Sequence, residues 1–531
     1  MNTNEKGEKQ ERVRIRQMAT GVPGLDEILG GGLPEYSFNI IAGAPGSGKT
    51  TLAHQIMFAN ASPKTPAIYF TVLGEPAVKM LRYQQQFTFF DQSKMDGAIR
   101  FINLSHVVLE QDLGAVLDEI IKQVEAVKPR IVVIDSFRTV VRKSLAIATE
   151  VELQGFVQRM ALHLTSWQAT TFLIGEYVEG ELRDNPVFTV ADGLIWLYQS
   201  IERNSIVRKL QVIKLRGQES VPGLHTFRIT EAGLQTFPRT LGLSETTSHV
   251  KGKRRLSTGI DKLDELLGGG IPEGESLLLA GPSGAGKSTV SMHFINEGLN
   301  PRNGGPVEPG IVAVFEELPK EHVQRAKMFG LDFTTPQKQD KLRLIYLRPL
   351  DLSVDETVHE IVHQVKEIGC KRLVIDSLVG FEMALAPGFR EDFRESLYRM
   401  IAALTRLGVT IISTVEVEED FTSMDLSKFT VSFLSDDIIR MRYVSINGQW
   451  RKMLLVVKMR RSAHSIDMHE YTITAKGIEI GEPMRGYRGL TSGIPGPWSA
   501  DAGQNNPEPR QARPAPASSP PSKKSRRKGG Q

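Results

Sequence analysis

Short apolar runs alternate along this chain with longer stretches in which apolar residues return every third or fourth position. "FNIIAG" (38–43), "AIYFTV" (67–72), "RIVVIDS" (130–136) and "TTFLIG" (170–175) are nearly continuous in Val, Ile, Leu and Phe. Runs of that kind predict parallel strands covered on both faces. "LGAVLDEIIKQVEAV" (113–127) places its apolar residues at helical spacing and predicts a helix. Strands and helices in alternation predict an α/β architecture.

The pattern occurs twice. "MATGVPGLDEILGGGLPEYSFNIIAGAPGSGKTTLA" (18–53) returns as "LSTGIDKLDELLGGGIPEGESLLLAGPSGAGKSTVS" (256–291), so that Lys49 recurs 238 residues on as Lys287. "PRIVVIDSF" returns as "KRLVIDSL", Asp135 to Asp376, and "VIKLRG" returns as "VVKMRR", Lys214 to Lys458, at offsets of 241 and 244. An offset that drifts by only six residues across three motifs marks duplication of a whole domain, far longer than a solenoid repeat. Two domains are expected, 1–245 and 246–485, with a polar and basic linker near 241–255 and a tail over 486–531.

Bulk properties narrow the class. At 531 residues the chain is too long for one core, and its 40% hydrophobic and 24% charged composition is that of a soluble globular protein. It has no uninterrupted apolar stretch of about 18 residues. A polar N-terminus without a signal-peptide core and a single cysteine, Cys370, lead us to expect a cytoplasmic protein. Residues 501–531 hold seven basic and two acidic side chains, +5 of the total +4, leaving the first 500 residues at −1. The body is therefore not a general polyanion binder; the Pro- and Ser-rich tail is expected to be disordered, and nucleic acid is expected, if anywhere, at that basic tail.

The chemistry starts at "GAPGSGKT" (43–50) and "GPSGAGKS" (281–288), both G-x-x-x-x-G-K-S/T between an apolar strand and a helix. Gly43, Gly46, Ser47 and Gly48 in one copy, and Gly281, Gly284, Ala285 and Gly286 in the other, can wrap backbone N–H groups around phosphates. Lys49 and Lys287 can reach the β- and γ-phosphates, and Thr51 and Thr289 follow at the helix start. The hydroxyls of Thr50 and Ser288 can ligate Mg²⁺, with Asp135 and Asp376, each ending an apolar strand, positioning the metal through water. ATP and Mg²⁺ are the expected cofactors.

Hydrolysis also needs a group that acts on the attacking water. "VFEELP" (314–319) offers Glu316 and Glu317, whereas the matching "TVLGEP" (71–76) has Leu73 and Gly74 at those positions, with Glu75 one residue further. The first site is expected to bind nucleotide and to hydrolyse it slowly or not at all. A solvated acidic pair opening a helix is the alternative for Glu316 and Glu317.

Taken in order and twice over, the "TG-x-x-x-LDE" lead-in, the phosphate loop, the "IDS" strand and the late "K-L/M-R" strand resemble the KaiC family across roughly residues 12–490. The resemblance implies two tandem RecA-like P-loop NTPase domains with ATPase and autokinase activity in a circadian clock. It also implies a homohexameric double ring with ATP between neighbours. Lys214 and Arg216, with Lys458 and Arg460, would then reach the γ-phosphate of the adjacent subunit's nucleotide; a basic pair far in sequence from its own loop suits a charge supplied in trans. Alignment on "DDIIRMRYVSI" puts the family's adjacent phosphoacceptors at Ser432 and Phe433, so one-site autophosphorylation at Ser432, with Glu317 or Glu316 as base, is implied; Ser427 is a second candidate acceptor. "RGYRGLTSGIPG" (485–496) resembles a peptide that receives a signalling partner. Two other classes stay open: a DNA-acting RecA-type motor, against which the body's charge of −1 argues, and a scaffold assembled by ATP with negligible turnover.

Overall fold

The computed structural model describes residues 15–490 and 496–497, apart from 73–76, 111, 141–149, 183–184, 203–204, 240–253, 348–352, 385–392 and 418–434. Each half is a nine-stranded, mainly parallel sheet covered by helices, and both sheets have the same order. In the first half the strands are β1 (Phe38–Gly43), β2 (Ala67–Thr71), β3 (Ile99–Asn103), β4 (Ile131–Asp135), β5 (Thr170–Glu176), β6 (Gly193–Glu202), β7 (Ser205–Leu215), β8 (His225–Thr230) and β9 (Gly233–Phe237). Their order is β3-β2-β4-β5-β1-β6-β7-β8-β9. The first six run parallel, and β7 to β9 continue as antiparallel hairpins.

The second half repeats this with β10 (Ser276–Gly281), β11 (Gly310–Val314), β12 (Leu342–Tyr346), β13 (Arg372–Asp376), β14 (Thr410–Glu416), β15 (Asp437–Ile446), β16 (Gln449–Met459), β17 (His469–Thr474) and β18 (Gly477–Pro483). The helices that bear on the sites are α1 (Lys49–Asn60), α2 (Leu113–Val127), α3 (Lys287–Leu299), α4 (Pro319–Met328) and α5 (Val354–Ile368).

Burial explains the sequence pattern. All six residues of β1 and all six of β10 are buried, because helices cover both faces of each sheet. Helix α2 buries Val116, Leu117, Ile120 and Val124, one stripe at helical spacing, and Asp112 caps its first turn by accepting from the Ala115 N–H at 2.9 Å. The two halves meet where β8 faces the start of α5: Arg228 pairs with Glu356 at 2.6 Å and Thr226 donates to Asp355 at 3.2 Å. Cys370 is buried, and burial pushes its thiol up to about 12, as befits a packing residue. Among the described residues no helix is long and apolar enough to cross a membrane.

One buried acid stands out. Asp437 opens β15 with no exposed surface, facing Glu275 and Asp436, with Arg255 and Lys458 acting on it and Arg460 and Arg461 paired to Asp436 and Glu275. Burial first, then the charge of Glu275, pushes its carboxyl up to about 7. The folded chain thus keeps a proton that the unfolded chain releases near its ordinary 3.8. This group's contribution to stability is full below that value, declines as pH rises, and is lost above about 7. Asp437→Asn should therefore raise stability at pH 8 by on the order of 4 kcal/mol, at about 1.4 kcal/mol per pKa unit. Denaturant melts from pH 4 to 8 check this, and a pH slope unchanged by the substitution would refute it.

Candidate nucleotide sites

Each phosphate loop joins the central strand of its sheet, β1 or β10, to the helix that follows, so it lies at the carboxyl edge where open α/β sheets bind ligands. The turn into the helix needs a left-handed residue: Gly48 has φ 100° and Gly286 φ 94°. A Cβ at either position would also come within 2.7 Å of Ile229 or 2.8 Å of Ile473, so the outer hairpins close on the loops. Ser47 and Ala285 are buried inside the loops; Thr51 and Thr289 sit in the first turns of α1 and α3.

Both lysines lie against their own loops. Lys49 Nζ donates to the Ala44 carbonyl at 2.7 Å, and Lys287 Nζ donates to the carbonyls of Gly281 and Pro282, each at 2.8 Å. Burial depresses both ammonium groups, opposed by Glu176 and then Asp135 at Lys49, and by Glu416, Asp376 and Glu316 at Lys287. An ammonium held in this way gains an anion's charge and oxygens when a triphosphate enters.

Asp135 and Asp376 end β4 and β13 beside the loops. Asp135 accepts from Thr50 Oγ1 at 2.7 Å and from the Tyr69 hydroxyl at 2.6 Å, and burial raises its pKa against those bonds. Asp376 accepts from Thr414 Oγ1 at 2.5 Å. In the first site the hydroxyl and the carboxylate expected to serve Mg²⁺ are thus already in contact. In the second, Ser288 and Asp376 line one cleft of about 470 Å³. Among the described residues no three His, Cys, Asp or Glu side chains converge on one point. This donor set fits magnesium shared with phosphate oxygens and water better than an all-protein cage.

Glu316 and Glu317 follow β11 and line that cleft with Lys287, Ser288, Asp376 and Glu416. The two acids differ in environment. Glu316 is exposed, acts on Lys287, and accepts from Ser377 Oγ at 2.8 Å. Glu317 turns to α4, bonding His322 Nδ1 at 2.9 Å and pairing with Arg325. Of the two, Glu316 is the one whose charge acts on Lys287 in the loop.

The late-strand cations lie at the other end of the sheet. Lys214 is level with Leu194, which is level with Ile40, three residues before the end of β1; the Arg216 N–H reaches the Asp192 carbonyl at 2.9 Å. Lys458 is level with Ile438 and hence Leu278, three residues before Gly281. At 3.3 Å per residue, both lysine backbones are about 10 Å from the edge carrying their own loops. Their side chains point further away: Lys214 Nζ donates to the Thr189 carbonyl at 3.0 Å and Lys458 Nζ to that of Ser435 at 3.0 Å. Arg216 and Arg460 sit 3.4 Å from Asp192 and 3.9 Å from Asp436, with 59% and 50% of their side chains exposed.

Glu176 and Glu416 were not singled out by motif. They end β5 and β14, the strands next to β1 and β10, and pair in register with Gly43 and Gly281 at the mouths of the loops. Aligning the repeat strand by strand finds them, since "TTFLIGE" and "TIISTVE" end in the same residue. Leu73, Gly74, Glu75, Ser427, Ser432 and Phe433 lie outside the described residues, as do the linker from 240 to 253 and the tail beyond 497.

Sheet order, phosphate loops and strand-ending aspartates, all present twice, define a tandem RecA-like P-loop NTPase. The chain belongs to the KaiC ATPase family: the family's profile matches residues 18–240 and 256–485. It is 28% identical to the circadian clock oscillator protein KaiC 1 of Synechocystis sp., over 92% of this chain and 94% of that protein. It is 28% identical to the circadian clock oscillator protein KaiC of Rippkaea orientalis, over 91% and 92%, and 26% identical to that of Synechococcus elongatus, over 91% and 93%.

Proposed function

We propose that this protein is a self-assembling ATPase and serine autokinase that works as a slow signalling or timing switch. The observation that carries this reading is the second-domain cleft, which gathers Lys287, Ser288, Asp376 and Glu316 at the mouth of one phosphate loop. The loop amides and Lys287 hold the triphosphate, and Glu316 orients the attacking water and takes its proton. Magnesium, when bound through Ser288 and on the side of Asp376, neutralises charge on the phosphates. With a serine hydroxyl in place of water, the same arrangement transfers the γ-phosphoryl to protein, and Ser432 is the acceptor we assign. The first domain binds Mg-ATP and turns it over slowly.

Self-association into a ring is part of this proposal. It is supported by the late-strand cations, whose position at the amino end of each sheet suits a neighbour's nucleotide and not the chain's own. The clock names of the relatives support the timing role.

The test is to incubate the full chain with Mg-ATP, following phosphate release, mass by light scattering, and phosphate on Ser432 by mass spectrometry. Slow release, a mass near six chains and a phosphoserine at 432 are expected. ATP bound without release would support the scaffold instead, and turnover stimulated by DNA would support a motor.

A further inference from the structure

Lining up the two sites charge by charge changes the picture of the first one. Lys287 feels Glu416, Asp376 and Glu316; Lys49 feels Glu176 and Asp135. Asp135 matches Asp376 and Glu176 matches Glu416, each at the end of the equivalent strand. By sequence the counterpart of Glu316 is Leu73, so the first site lacks that acid but keeps a carboxylate directly beside its loop.

Three observations place Glu176 for chemistry. Its Cα pairs with that of Gly43 across the parallel β5–β1 ladder, so the side chain starts one strand spacing from the loop. It is exposed, hence open to water and to a bound phosphate. The strand end that carries it is fastened: Arg138 donates to its backbone carbonyl, pairs with Glu181 at 2.6 Å, and lies 5.1 Å above the Tyr177 ring. The equivalent Glu416 lines the second-domain cleft together with Lys287 and Glu316. An acid beside the loop, whose charge acts on the loop lysine, stands on the side of the site where a γ-phosphate and its attacking water would lie.

We infer that Glu176 is the general base of the first domain, so that the slow turnover of that site runs through β5 and not through the segment that follows β2. The water oxygen bonds to the γ-phosphorus as the bridging bond to the β-phosphate breaks. The bond's electrons leave with ADP, and the water's proton passes to the Glu176 carboxylate and then to solvent. This rests on the reading that the first domain binds Mg-ATP.

The test uses the full chain with the second domain slowed by Glu316→Gln, with and without Glu176→Gln or Glu176→Asp. Phosphate release in a single turnover and nucleotide occupancy per chain are measured across pH. Glu176→Gln should lower the first-domain phase of the residual release about a hundredfold, down to the floor that the slowed second domain sets, with occupancy still at two. Glu176→Asp should recover part of it. Residual release unchanged by Glu176→Gln, occupancy falling in step with release, or no residual release at all would each overturn the inference. Occupancy of one before any change at Glu176 would instead sink the reading beneath it. If Glu316→Gln leaves release at the unmodified level, the reading of the second site fails, and Glu176 is then tested against Glu316→Gln combined with Glu416→Gln.

Discussion

Glu316→Gln is expected to reduce second-domain ATP hydrolysis about a hundredfold, the low end of what a positioned base contributes, while Glu317→Gln reduces it severalfold. The asymmetry follows from their partners. Among the described residues Glu316 accepts from one neutral donor, Ser377 Oγ at 2.8 Å, and stands among the charges acting on Lys287. A carboxylate with one neutral partner keeps lone pairs for a water. Glu317 spends its oxygens on His322 and Arg325, so its loss loosens α4 against the cleft and leaves Arg325 without its partner. Glutamine at 316 preserves shape and the acceptor for Ser377 but cannot take a proton at neutral pH. Steady-state phosphate release with binding of a labelled ATP analogue checks this. Reduced release with intact binding is expected for Glu316→Gln. If Glu316→Gln leaves most of the release, Glu416 becomes the candidate base of the second site, since it lines the same cleft.

The strands and helices were legible because burial on two faces leaves an unmistakable run, and β1, predicted as 38–43, is Phe38–Gly43. The predicted helix over 113–127 is Leu113–Val127 for the same kind of reason: one buried stripe and a capping aspartate. The phosphate loops were legible because their chemistry is local, packed into eight residues. What a linear reading could not see is adjacency created by the sheet. Glu176 is a lone acid at the end of a strand, indistinguishable in sequence from a solvated one, until the ladder sets it opposite Gly43 from the far side of three intervening strands, β2 to β4, and their helices. The division between Glu316 and Glu317 was hidden in a different way. One peptide bond separates them, and only the packing of α4, which brings His322 and Arg325 to Glu317, tells them apart.

Charge also separates the two halves. Three carboxylates lie at the amino end of the second sheet: Asp436 and Asp437 act on Lys458, Asp436 lies 3.9 Å from Arg460, and Glu275 pairs with Arg461 at 3.2 Å. The matching positions of the first half hold Ser37, Asp192 and Gly193. The cations of the second half therefore start from a more strongly anionic base, while the burial that lowers the ammonium of Lys458 lowers that of Lys214 as well.

Arg460→Ala should abolish second-domain hydrolysis as thoroughly as Glu316→Gln, and mixing the two inactive chains should restore it. Arg460 follows β16, level with the start of β15 and beside Asp436, at the edge of the sheet opposite the chain's own loop. Half its side chain is exposed, so it has both the reach and the solvent access to meet another molecule. An arginine that stabilises a transferring phosphoryl group from a neighbour contributes about a thousandfold or more. In a ring of heterologous contacts each site joins one chain's loop and Glu316 to the next chain's Arg460. With the two variants mixed equally, about one interface in four combines an intact Glu316 with an intact Arg460, and release should recover to about a quarter of the unmodified rate. If Arg460 served its own chain's nucleotide, every chain in the mixture would carry a broken site, and release would stay at the level of the separate variants. The measurement is phosphate release after the two chains are mixed without nucleotide and then given Mg-ATP, with light scattering to show that they have assembled together. Co-assembly without recovery would refute the trans role of Arg460 and leave its pairing with Asp436 as a feature of the fold alone.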